Sequence, residues 1–114
     1  MDKPFKIVFV CTDNIGRSVI SEYLLQDYLK KNNIANIEVS SAGINAGSDA
    51  SKFSMAHFGE LKKMGVDASG HKRRQMDKEI ADSADLIIAS EKLHQDWIKE
   101  NIGIEVPLFN KIYK

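Results

Sequence analysis

Lys6-Ile7-Val8-Phe9-Val10-Cys11-Thr12-Asp13-Asn14-Ile15-Gly16-Arg17-Ser18 decides the fold of this chain. Lys6 to Val10 is short, mostly apolar and rich in β-branched residues, the pattern of a strand buried on both faces. From Ser18 to about Lys31, Ile20, Leu24, Leu25, Tyr28 and Leu29 recur at helical spacing. A strand therefore ends at Cys11, a helix opens near Arg17, and the residues between them turn the corner. Such a turn aims backbone N–H groups and the positive end of a helix dipole at one spot. A thiolate placed there is stabilised and serves as a nucleophile. Arg17 adds a permanent charge and a planar fork that matches two phosphate oxygens. Asn14 suits the left-handed backbone of a tight loop, and Ser18 can donate a hydroxyl hydrogen bond to the thiolate or cap the helix. The Lys-[Ser/Thr] pair of the nucleotide-binding glycine loop is absent.

Outward from this segment, strands and helices alternate. Asn32-Asn33 stops the first helix, and Ile37-Glu38-Val39-Ser40 reads as a second strand. A polar loop runs from Ser41-Ala42-Gly43 to about Ser51. Phe53, Met55, Ala56, Phe58, Leu61 and Met64 then share mainly one helical face, ended by Gly65. A loop from Asp67 to Arg74 carries His71, and Asp77 to Ser83 reads as a short helix. Asp85 to Ala89 is a third buried strand. Glu91 to Asn101 is a helix with Leu93, Trp97 and Ile98 expected inward, and Glu105 to Phe109 a fourth strand whose proline suits an edge. This alternation implies a parallel sheet with right-handed crossovers. Ligands then bind beyond the carboxyl ends of the strands, where Cys11, Ser40-Ser41 and Ser90 fall.

Composition agrees with one globular domain. The chain has 114 residues, 43% hydrophobic and 28% charged, with formal net charge zero. A nucleic-acid surface or a polybasic membrane patch is not indicated, and no apolar run approaches a membrane span or a signal sequence. One cysteine excludes an intrachain disulfide, and a cytoplasmic location is the expectation. Three scattered histidines with one cysteine give no metal-binding spacing, and no cofactor is expected. His57 and His94 read as surface or packing residues.

The chain resembles the low-molecular-weight protein tyrosine phosphatases and the arsenate reductases that share their fold. The family loop Cys-x-Gly-Asn-x-Cys-Arg-Ser stands here as Cys11-Thr12-Asp13-Asn14-Ile15-Gly16-Arg17-Ser18. The likeness extends through Ser40 to Gly43, through Gly65-Val66-Asp67 with His71 and Arg73 or Arg74 after it, and through Asp85 to Ile88. The resemblance implies a single three-layer α/β domain over residues 1–114, with a four-stranded parallel sheet in the order 2-1-3-4 flanked by helices. It implies Cys11 as the nucleophile that forms a phosphocysteine, Arg17 on the phosphate oxygens, and Ser18 stabilising the departing thiolate. Residues Thr12, Asp13, Asn14, Ile15, Gly16 and Arg17 would bind phosphate. Asn14, Ser18, Ser41 and His71 would hold the loop in shape.

Four departures qualify this. Asp13 replaces the loop glycine and brings negative charge near a phosphate site. Gly16 replaces the second loop cysteine, a disulfide partner in the family. Equal-length alignment places Gly47 where the family has an aromatic wall, so phosphotyrosine preference is expected to be slight. The sequence ends at Lys114, before the family's Asp-Pro acid loop and last helix. The expectation is a phosphomonoesterase, slow for want of the acid, acting on a phosphomonoester or phosphoprotein. A homodimer or a partner chain would cover the surface left by the last helix. The alternatives are an arsenate reductase that needs an external thiol, and a catalytically impaired oxyanion-binding or regulatory module.

Overall fold

The computed structural model describes residues 3–109. The two ends of the expected 1–114 domain lie outside the described residues. Strand β1 (Phe5–Cys11) is central, with β2 (Ile37–Gly43) and β3 (Leu86–Ala89) paired parallel on either side. The helices are α1 (Arg17–Lys31), α2 (Ala56–Lys63), α3 (Lys78–Ser83) and α4 (Lys92–Asn101), and a 3-10 turn spans Ala50–Lys52.

Both faces of the sheet are covered, as side chains alternating along β1 require. Val8 and Val10 join Ala42, Ile87 and Ala89 beneath Ile80 of α3 and Ile98 of α4. Phe9 joins Val39 and Ile88 beneath Leu25 and Leu29 of α1. A third cluster sets Ile20, Tyr23 and Leu24 of α1 against Leu61, Val66 and Ala68. The wide apolar stripe of α1 is thus divided between the sheet and α2.

The expected four-stranded order 2-1-3-4 is corrected to a three-stranded sheet, β2-β1-β3, among the described residues. Residues 105–109 lie beside β3 but make only one isolated bridge, Ala89 to Leu108. Two local causes are visible. Pro107 has no N–H to give to a ladder, and Gln95 Nε2 of α4 donates to the Val106 carbonyl at 2.7 Å.

Two helices also differ from their sequence patterns. α2 begins at Ala56, so Phe53 and Met55 lie outside it and exposed, and Leu61 is its buried residue. On α4 the buried pair is His94 and Ile98 while Leu93 is 51% exposed. Ile98 and the half-buried Trp97 pack on the core as expected, and His94 takes the inward place expected of Leu93.

Candidate active site

Register brings the site together. Cys11 ends β1 opposite Gly43, the last residue of β2. A Cβ at Gly43 would meet Asn14 N and Thr12 O at 2.7 Å, so only glycine lets the loop lie against the end of β2. Asn14 takes the left-handed turn with φ of 56°. Gly16 is the N-cap of α1, and no side chain caps that terminus. Among the described residues no backbone carbonyl accepts from the N–H groups of residues 12–17. These donors and the start of α1 make a concavity suited to an anion.

Behind the loop runs a connected polar chain. Ser41 Oγ donates to Glu22 Oε1 at 2.5 Å and accepts from Asn14 Nδ2 at 2.8 Å. Asn14 Nδ2 also donates to Ser18 Oγ at 3.0 Å. Ser18 Oγ lies 2.9 Å from Cys11 Sγ, within reach of a hydrogen bond from the hydroxyl proton to the sulfur. Asn14 Oδ1 accepts from the Arg74 N–H at 2.8 Å, and the Asn14 carbonyl accepts from His71 Nε2 at 3.0 Å. Asn14 and Ser18 are fully buried, and every polar group of Asn14 named here has a partner. The structure therefore brings together the loop-supporting residues named from the sequence. It adds Glu22, which the sequence reading passed over. Its signal was a carboxylate one turn after Ser18 on the inward side of α1, where a charge is buried only if paired.

The start of α4 meets the loop from the other side. Arg17 Nη1 is 2.6 Å from Glu91 Oε1. The hydrogen bond to Glu91 raises the Arg17 pKa, and the same bond holds the Glu91 carboxyl below its usual range. His94 lies fully buried next to them. The Glu91 N–H donates to His94 Nδ1 at 3.0 Å, so the ring proton sits on Nε2, which donates to Thr12 Oγ1 at 2.7 Å. Burial, and then the Arg17 charge, lower the His94 pKa, with Glu91 and Asp13 opposing.

A cleft of about 240 Å³ opens on the loop. Cys11, Thr12, Asp13, Ile15, Gly16 and Arg17 form one wall, and Phe53, Ser54 and His57 form the other. Gly47 does not line it. The aromatic wall that equal-length alignment denies at Gly47 is supplied six residues later by Phe53. His57, read from the sequence as surface or packing, donates from Nε2 to the Ile15 carbonyl at 2.6 Å and stands in that wall. Among the described residues no cluster of His, Cys, Asp or Glu is placed to hold a metal ion. No helix among them is long and apolar enough to cross a membrane.

Comparison with known proteins gives a consistent result. The family described as low molecular weight phosphotyrosine protein phosphatase matches residues 6–107. A protein-arginine-phosphatase of Geobacillus stearothermophilus is 36% identical over 99 residues, covering 85% of this chain and 62% of the relative. A putative low molecular weight protein-tyrosine-phosphatase of Klebsiella pneumoniae is 37% identical over 103 residues, covering 87% and 64%. Among solved structures, the YwlE arginine phosphatase carrying a phosphorylated active-site serine superposes with a TM-score of 0.76 at 28% identity, covering 87% of this chain and 63% of that one. The chain thus spans less than two thirds of the length of each of these relatives.

Proposed function

This chain belongs to the low molecular weight phosphotyrosine protein phosphatase family, and on that premise we propose that it hydrolyses phosphomonoesters through Cys11. The observation that carries the reading is Cys11 Sγ at 2.9 Å from the Ser18 hydroxyl, which Asn14 Nδ2 holds in place. That hydroxyl can give its proton in a hydrogen bond to the sulfur, both as Cys11 attacks and as it departs. Cys11 attacks phosphorus; an S–P bond forms and the ester P–O bond breaks with its electrons on the leaving oxygen. Water then attacks the phosphocysteine, releasing inorganic phosphate and returning the thiolate, again stabilised by Ser18. The N–H groups of residues 12–17 receive the phosphate oxygens. Arg17 contributes two further donors once its guanidinium leaves or shares Glu91.

For the substrate we favour a phosphotyrosine side chain on a protein. Ile15, Phe53 and His57 give the cleft an apolar and aromatic lining that accepts a phenyl ring. A second reading is phosphoarginine, the group named for two of the relatives above. The Asp13 carboxylate in the same cleft favours it, since it could pair with a guanidinium.

Hydrolysis of p-nitrophenyl phosphate tests the chemistry without demanding a strong general acid, because its leaving group departs unprotonated. The wild-type chain should turn it over. Cys11→Ser should lose turnover by at least about a hundredfold while still binding inorganic phosphate, since the weaker serine nucleophile lacks a base to activate it. Undiminished turnover in Cys11→Ser would remove Cys11 from the mechanism.

A further inference from the structure

Asp13 sets a problem that its neighbours answer. It lines the cleft within the loop, where a free carboxylate would repel a phosphate dianion. Its Oδ1 instead accepts from Ser48 Oγ at 2.6 Å. Ser48 Oγ accepts in turn from Arg73 Nη2 at 2.5 Å, and Arg73 Nη1 donates to the Ser48 carbonyl at 2.6 Å. Arg73 Nε donates to the Asp13 carbonyl at 2.9 Å. One planar guanidinium thus ties the main chain of the loop to residue 48 and supports the hydroxyl that holds the carboxylate. Arg73 is itself anchored on both sides, through His71 to the Asn14 carbonyl and through the Arg74 N–H to Asn14 Oδ1. Its charge also helps to keep the Asp49 carboxyl below its usual range, after the larger effect of hydrogen bonds from Ser51. The Ser48 carbonyl that Arg73 holds adjoins Asp49, whose side chain caps the 3-10 turn that leads on to Phe53.

Resting on the phosphomonoesterase reading, we propose that Ser48 and Arg73 are positioning residues, a latch that holds the Asp13 carboxylate away from the bound phosphate. The latch makes an acidic residue tolerable at that place in the loop. It also fixes the segment that carries the aromatic wall, so one set of hydrogen bonds sets both sides of the cleft. Arg73 acts through Ser48 and the loop carbonyl, with three of its N–H groups already engaged, and not as a phosphate ligand.

The role predicts a dependence between positions that simple scaffolding does not. Ser48→Ala and Arg73→Ala are made singly and each together with Asp13→Gly, in the full chain. Affinity for inorganic phosphate is read by calorimetry, and kcat and KM on p-nitrophenyl phosphate. Each single variant should bind phosphate at least about tenfold more weakly, the lower end for losing a hydrogen bond to a charged group, with KM rising more than kcat falls. Adding Asp13→Gly should return phosphate affinity to within about threefold of wild type, and Asp13→Gly alone should bind at least as tightly as wild type. A loss that persists undiminished with Asp13→Gly would overturn the latch, since the carboxylate would not be what it restrains. So would single variants that bind phosphate like the wild type. Ser48→Ala removes no charge and decides the matter if Arg73→Ala fails to fold. If the wild-type chain neither binds phosphate nor turns over the ester, the functional reading itself fails, a result distinct from failed rescue in an active protein.

Discussion

His94 shows how one buried polar side chain couples two parts of the site. Only the neutral ring can accept from the Glu91 N–H and donate to Thr12 Oγ1 at once. Protonation would set a donor against a donor at the start of α4. Burial and the nearby Arg17 lower its pKa from the ordinary 6.5. The unfolded chain therefore takes up this proton at a higher pH than the folded one. The sign follows: this contribution to stability is fully present above about pH 6.5 and is lost as pH falls through the lower, folded-state pKa. Thermal melts of the wild type should shift down as pH falls below about 6.5. His94→Gln should be less stable at neutral pH yet lose less over the same fall in pH. An equal or steeper acid loss in the variant would show that His94 is not the titrating group. The sequence concealed this role because apolar periodicity favoured Leu93 as the inward residue. A histidine reads as core only when both nitrogens have partners, and those partners come from Thr12 and a backbone amide.

The strand, loop and helix from β1 to α1 were legible because local signals agree there. A β-branched run, a left-handed asparagine and a 3.6-residue period all mark the same boundaries. The segment between β2 and α2 lacks such agreement. Its loop length is not periodic, so counting residues put Gly47 at the wall, whereas a 3-10 turn at Ala50–Lys52 carries the chain round and leaves Phe53 there. That placement changes the expected selectivity. Ring contact is worth roughly 0.5–1.5 kcal/mol beyond area burial, or about two- to tenfold in affinity. Phe53→Ala should lower kcat/KM on a phosphotyrosine peptide by about that factor and leave a phosphoarginine peptide of the same sequence little changed. An equal loss on both peptides would mean that Phe53 shapes the cleft without touching the ring. The segment from Glu105 to Phe109 failed in the opposite way. Its apolar residues suggested a strand, but Pro107 and the Gln95 side chain remove the groups that a ladder needs.

Across the domain, the alternation of strands and helices was enough to gather the site. Parallel strands joined by right-handed crossovers leave few topologies, and each sends its carboxyl end to the same edge. Cys11, Gly43 and Ser90 meet there, the last through a hydrogen bond from the Ser90 N–H to the Val10 carbonyl. The contacts that tune the site were not legible in this way. Glu22 with Ser41, Arg17 with Glu91, and Ser48 with Asp13 and Arg73 are pairs between elements, and a polar residue facing another element follows no repeat along its own. The proposed role of Cys11 at this edge is best tested by trapping the intermediate. The protein is mixed with p-nitrophenyl phosphate, quenched rapidly, digested and analysed by mass spectrometry. A phosphoryl group on the peptide containing Cys11, formed and lost at rates that match turnover, is the predicted result. Turnover with phosphate label on another residue, or with no phosphoenzyme and an unmodified Cys11 throughout, would contradict the mechanism.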